Sequence, residues 1–237
     1  MKGDFFMSEN RKISQNIKKL TALAVFAALA YVIHFVHVPV SFLNLDFKDV
    51  VMTVAGMYFG PLSGVIVAIL VPLLEFPTSE TGVYGLIMNI LSSVSFVGVA
   101  SLIYKFKRTL TGAIVGLSAA VLSMVAVMLM ANLFVTPFYM GVSQAVVIDL
   151  IPKMLLPFNA IKAILNAALT LCLYKPMTTL LKKIGIGKQS ITVAENEEAQ
   201  AKSKFRSILV FVIGGVVAIA SLAVIFLVLG GKITIGW

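Results

Sequence analysis

The sequence is poor in charge, in cysteine and in anything that could serve as catalytic apparatus. Asp, Glu, Lys and Arg make up 12% of its 237 residues against 59% hydrophobic ones, and mean hydropathy is +1.02. So little charge cannot clothe a soluble fold, which makes lipid the main solvent of the chain. Cys172 is the single cysteine and lies in an apolar run, so neither a disulfide within the chain nor a thiolate metal cluster is available. His34 and His37 lie three apart with no third ligand in sight, and no metal is expected there. There is no HExxH, no GxSxG and no pair of carboxylates at a workable spacing, so an enzyme is not expected. The fragment "GIGKQS" resembles part of a phosphate loop, but Lys182 stands where the pattern needs its first glycine, which excludes a nucleotide site.

What remains is apolar length and a basic balance. The net charge is +9, and its lysines and arginines fall at the ends of apolar runs. That placement points to membrane topology and anionic lipid headgroups rather than to nucleic acid. Runs of spanning length occupy 17–36, 84–104, 110–134, 151–174 and 208–229. The first follows basic residues and has no small-residue cleavage site, so it reads as a retained helix. The stretch 49–75 is either one helix or two, broken at Gly60-Pro61.

Charge decides between them. With a broken hairpin, the basic N-terminus (Arg11, Lys12, Lys18, Lys19), the "YKFKRT" loop and the segment with Lys175, Lys182, Lys183 and Lys188 share one side, as the positive-inside rule requires. The expected organisation is an all-α integral membrane protein. A basic cytoplasmic N-terminus (1–16) precedes a six-helix bundle (17–178), a polar cytoplasmic linker (179–207), one additional transmembrane helix (208–229) and a short outer tail (230–237). No internal repeat is present, which weighs against a transporter built from inverted halves.

Ionisable and amide side chains inside spans are costly and mark candidate sites. In "LPFNAIKAILNAALT", Asn159, Lys162 and Asn166 are spaced by three and four and share a helix face. They donate either to a ligand or, in the bland alternative, to headgroups and neighbouring helices. Asn132 and Asn89 point to the same cavity or to interhelical bonds. The segment "FLNLDFKDVV" puts Asp46, Lys48 and Asp49 in an outer loop, with Asp49 read as the N-cap of a short helix. Glu75 and Glu80 read as members of a solvated turn with Thr78, Ser79 and Thr81, with a place at the border of a pocket as the alternative for Glu75. Small residues four apart, Ala24 with Ala28, Gly56 with Gly60 and Gly64, and Gly112 with Gly116, suit close helix packing or an external helix partner.

These segments together resemble a known family. "FLNLDFKDVV", the "GMYFGPLSGV" break and "LPFNAIKAILNAALTLCLYKP" are similar to the substrate-binding S components of energy-coupling factor (ECF) vitamin transporters, most closely the riboflavin-specific ones, over about residues 17–178. The resemblance implies a flavin pocket near the outer face with no ATP site and no cofactor in this chain. It also implies transport with a transmembrane coupling subunit and two ABC-type ATPases. It carries flavin binding to Leu45, Asp46, Phe47, Asn132, Asn159 and Lys162, with Asn89, Thr136 and Tyr139 beside them, and docking on the coupling subunit to Ala24 and Ala28. Phe47, Phe138, Tyr139 or Phe158 would pack on the isoalloxazine, and Asp46 and Thr136 would meet ribityl hydroxyls.

Two features depart from the family. A linker and a further helix follow helix six, and Leu86 stands where many riboflavin binders carry an acidic residue. Two alternatives accompany the riboflavin reading: an S component for another small vitamin or aromatic compound, and a membrane enzyme or assembly factor acting through His34, His37 and Asp46 at the outer surface.

Overall fold

The computed structural model describes residues 2–79, 81–183, 197–227 and 234–235. Glu80, 184–196 and the remainder of the 230–237 tail lie outside the described residues. The long elements are α1 (Lys2–His34), α2 (Lys48–Phe59), α3 (Pro61–Glu75), α4 (Gly82–Phe106), α5 (Leu110–Met140), α6 (Gln144–Leu150), α7 (Leu156–Lys183) and α8 (Glu197–Leu227). Helices α1, α3, α4, α5 and the α6–α7 run are long and apolar enough to cross a membrane. Many of their exposed positions are large and apolar: Leu20, Leu62 and Leu122 are each at least 70% exposed. Such surfaces are tolerable only against lipid tails, so this is a multi-pass membrane protein.

The break falls where proline dictates. Gly60, at φ +103°, takes a conformation that costs other residues dearly, and Pro61 opens α3 at a position where its missing N–H is harmless. Packing α2 back on α3 needs glycine as well, since a Cβ on Gly64 would sit 2.6 Å from the Gly56 Cα. The twelve-residue α2 is too short to cross a hydrocarbon core about 30 Å thick. It survives by burial: Val51, Met52, Val54 and Ala55 join Phe26 and Ala30 of α1 and Val67 and Val71 of α3 in one apolar cluster.

Two segments differ from the expected outer loop and polar linker. The outer loop is a β-hairpin, β1 (Val36–Val40) and β2 (Leu43–Asp46), turning at Ser41 and Phe42 with Ser41 at φ +56°. Alternation gives it two faces. Val38, Val40 and Leu45 are buried in a cluster with Phe158 and Leu165 of α7, while His37, Pro39, Asn44 and Asp46 line a cavity. A third strand, β3 (Thr234–Ile235), pairs antiparallel with β1 on the other side. Helix also covers both ends of the stretch expected as a linker, because α7 runs on to Lys183 and α8 begins at Glu197.

Between α6 and α7 the backbone makes a π-helical turn, Ile151–Leu155. Pro152 and Pro157 each remove a backbone donor there, and the extra residue per turn re-phases the helix just before Phe158, Asn159 and Lys162.

Candidate functional site

One end of the bundle opens into a cavity of about 620 Å³, walled by the hairpin, the ends of α1 and α3, the start of α4, the end of α5 and the start of α7. That volume suits a drug-sized ligand. The basic residues Lys18, Lys19, Lys105 and Lys175 lie further along the helices that reach it, well away from the cavity.

Asp46 terminates β2 and faces Lys162, whose Nζ donates to Oδ2 at 3.1 Å; Lys48 Nζ lies 3.7 Å from the same oxygen. Lys48 also donates to Glu75 Oε2, and Glu75 Oε1 lies 3.5 Å from His34 Nδ1. A chain of charges thus ties α7 to the hairpin, the hairpin to the first turn of α2, and α2 to the last turn of α3. All four of Asp46, Lys48, Glu75 and Lys162 are buried. Burial alone would raise the Asp46 pKa, but the fields of Lys162 and Lys48, together with the Lys162 hydrogen bond, outweigh it and hold the carboxyl down at about 2. Buried charges are sustainable only when paired in this way.

Asp49 does not cap α2. Phe47 occupies the N-cap position, and no side chain accepts there. Fully buried, Asp49 instead accepts from Ser93 Oγ of α4 at 2.6 Å and from Asn166 Nδ2 of α7 at 3.3 Å. One face of α7 therefore serves both aspartates, Lys162 reaching Asp46 and Asn166 reaching Asp49.

Of the residues singled out in the sequence, Asp46, Asn159 and Lys162 line the cavity at its hairpin side. Asn89, Asn132, Thr136 and Tyr139 line its α4 and α5 walls. Asn132 and Asn159 each donate to a carbonyl four residues earlier, at 2.7 Å, and Thr136 donates to Asn132 Oδ1. Leu45 and Phe47 lie elsewhere, packed with the cluster on the far face of the hairpin. Among the candidate aromatic walls, Phe158 and Tyr139 reach the cavity, joined by Phe42 and Tyr84, whereas Phe138 is 74% exposed. Ala24 and Ala28 are exposed along α1, away from the cavity.

Sequence reasoning missed Ser92, and it placed Glu75 at the border of a pocket only as the alternative to a solvated turn. Glu75 is not part of a solvated turn: it is 2% exposed and lines the cavity. Its signal was its place at the end of an apolar run of spanning length, where a carboxylate needs a partner. Ser92 is buried in the same wall, and its hydroxyl has no hydrogen-bond partner among the described residues. Leu86 lines the cavity too, so the carboxylates that reach it come from Asp46 and Glu75. Asp46 Oδ1 and Glu75 Oε1 accept no hydrogen bond among the described residues. The cavity thus combines flat apolar walls, donors on Lys162 and the asparagines, and carboxylate acceptors. It can hold an aromatic body bearing both carbonyls and hydroxyls without any covalent step.

Comparison with known proteins agrees with this geometry. The family described as "ECF transporter, substrate-specific component" matches residues 18–174. Riboflavin transporter RibU of Staphylococcus aureus (strain TCH60) is 34% identical over 189 residues, spanning 75% of this chain and 100% of that protein. Riboflavin transporter FmnP of Bacillus subtilis (strain 168) is 25% identical over 162 residues, 62% of this chain and 85% of that one. A solved structure described as "Structure and mechanism of the S component of a bacterial ECF transporter" superposes with a TM-score of 0.62 at 33% identity, covering 70% of this chain and 99% of that one.

Proposed function

The chain belongs to the substrate-specific components of ECF transporters, and on that premise we propose that it is the membrane-embedded riboflavin-binding subunit of an uptake system. The observation that carries the reading is its correspondence with a riboflavin transporter along that protein's whole length. The cavity adds chemical sense. Phe158 and Tyr139 offer surfaces for the isoalloxazine, Lys162, Asn132 and Asn159 offer donors for its carbonyls and ring nitrogens, and Asp46 and Glu75 offer acceptors for ribityl hydroxyls.

Binding is the whole of this subunit's chemistry in the proposal. ATP is bound and hydrolysed by two ABC-type ATPases, and a transmembrane coupling subunit docks on α1 at Ala24 and Ala28, where small side chains let another helix approach. The subunit needs no cofactor, and flavin is its cargo. The basic residues remote from the cavity support a cytoplasmic N-terminus and a cavity facing outward. The pairing of β3 with β1 supports an outer C-terminus.

The test is the visible absorption spectrum of the detergent-purified protein. A flavin spectrum at near one ligand per chain is expected. A colourless protein that also fails to quench the fluorescence of added riboflavin would remove riboflavin and leave another small vitamin as the ligand.

A further inference from the structure

The C-terminal portion lies outside what the relatives share. The family match stops at residue 174, and the whole of the Staphylococcus aureus transporter is covered by 75% of this chain. Yet α8 packs closely on α7. A Cβ on Gly214 would lie 2.9 Å from Cys172 Sγ and 3.2 Å from the Ala168 carbonyl oxygen, so glycine is what allows the approach. The contact continues through Ala218 and Ile225, both buried.

These two residues do not merely meet α7. They share a buried cluster with Val38, Val40 and Leu45, the packing face of the hairpin, and with Phe158. The opposite face of that hairpin carries Asp46 to the cavity. From the side, β3 pairs with β1 at Val36 and His37, satisfying a strand edge that would otherwise be open. The hairpin is therefore held from behind by α8 and along its edge by β3.

We propose that the C-terminal extension is an intrachain clamp on the hairpin, which holds that hairpin over the cavity and slows ligand release. A ligand enclosed between the hairpin and α7 leaves only when the hairpin moves, and moving it requires separating the α8 cluster and the β1–β3 pair. The clamp acts mainly on the dissociation rate, since it braces the cavity wall from behind: of the groups assigned to the ligand it packs against Phe158 alone, and Asp46, Asn132, Asn159 and Lys162 lie outside its cluster. The proposal rests on the flavin reading for its ligand, not for its geometry.

Three variants of the full chain in detergent test it: one ended after Leu227, one carrying Gly214→Leu, and one carrying Gly215→Leu. A Cβ on Gly215 meets nothing within 4 Å, so that variant is the matched control. Riboflavin release is followed by recovery of flavin fluorescence in a chase, and hydrogen exchange is measured on the amides of Val36, His37, Val38 and Val40. Release from the shortened chain and from Gly214→Leu is expected to be roughly five- to tenfold faster, with faster exchange at those amides and Gly215→Leu unchanged. Exchange that rises without faster release overturns the clamp, and so does exchange that stays the same. Should the unaltered chain bind no riboflavin, the flavin reading fails. The exchange measurement then decides the clamp alone.

Discussion

Lys162, near the start of α7, donates to Asp46 at the end of β2 across 3.1 Å, and 116 residues of chain separate the two. That single bond joins the cavity's main donor to the hairpin that covers it. Removing Lys162 leaves Asp46 with only the more distant Lys48, and a buried carboxylate with a weakened partner is expensive. Lys162→Ala is expected to weaken riboflavin binding by about 100-fold or more, as read by quenching of flavin fluorescence. Retained affinity would place the ligand elsewhere.

Acid should destabilise the protein for the same reason. Asp46 is held at about 2 against an ordinary 3.8, so its pairing is fully present above the ordinary value. The contribution fades as pH falls toward 2, and the shift corresponds to about 2 kcal/mol. No change traceable to this group is expected across neutral pH. Asp46→Asn should abolish the acid limb of a thermal-stability profile recorded in detergent, and a variant with the same acid limb as the parent would assign that limb to another group.

Lys48 and Glu75 form the second buried pair, linking the ends of α2 and α3. Lys48→Met leaves two carboxylates without their shared cation and is expected to destabilise the protein by about 3–5 kcal/mol. Replacing both, Lys48→Met with Glu75→Leu, should cost clearly less than the sum of the single changes, because no uncompensated charge is left behind. Thermal denaturation of the four proteins in detergent makes the comparison. Additive effects would mean that the pair is not coupled.

Apolar run lengths, the Gly60-Pro61 break and the spacing of Asn159, Lys162 and Asn166 were legible because membranes fix helix length and helices fix phase. The hairpin was not. "VHVPVSFLNLD" alternates with period two, but a short apolar stretch beside a long apolar helix reads equally well as its end or as a loop. Asp49 was misread because an aspartate at a helix start has a cheap local role, while its real partners, Ser93 and Asn166, are 44 and 117 residues away. The turn-like "FPTSETG" that follows Glu75 favoured a solvated turn over the pocket border, which is where the residue stands. Periodicity shows which residues share a face, but it does not show which faces meet.

Binding and transport should separate on α1. Ala24 and Ala28 are exposed, lie one turn apart and touch neither the cavity nor its charge chain, while the buried face of the same helix, Phe26, Ala27 and Ala30, packs on α2 and α3. A side chain enlarged at Ala24 or Ala28 therefore enters lipid in the isolated subunit and obstructs only a helix that must come close. Ala24→Leu combined with Ala28→Leu is expected to leave the riboflavin affinity of the purified protein unchanged and to abolish uptake by cells that depend on it, with membrane abundance checked in parallel. Uptake at the parental rate would mean that the coupling subunit meets another face. Lost affinity would mean that α1 reaches the cavity through its packing on α2, and the docking role would have to be tested with the milder pair Ala24→Val and Ala28→Val.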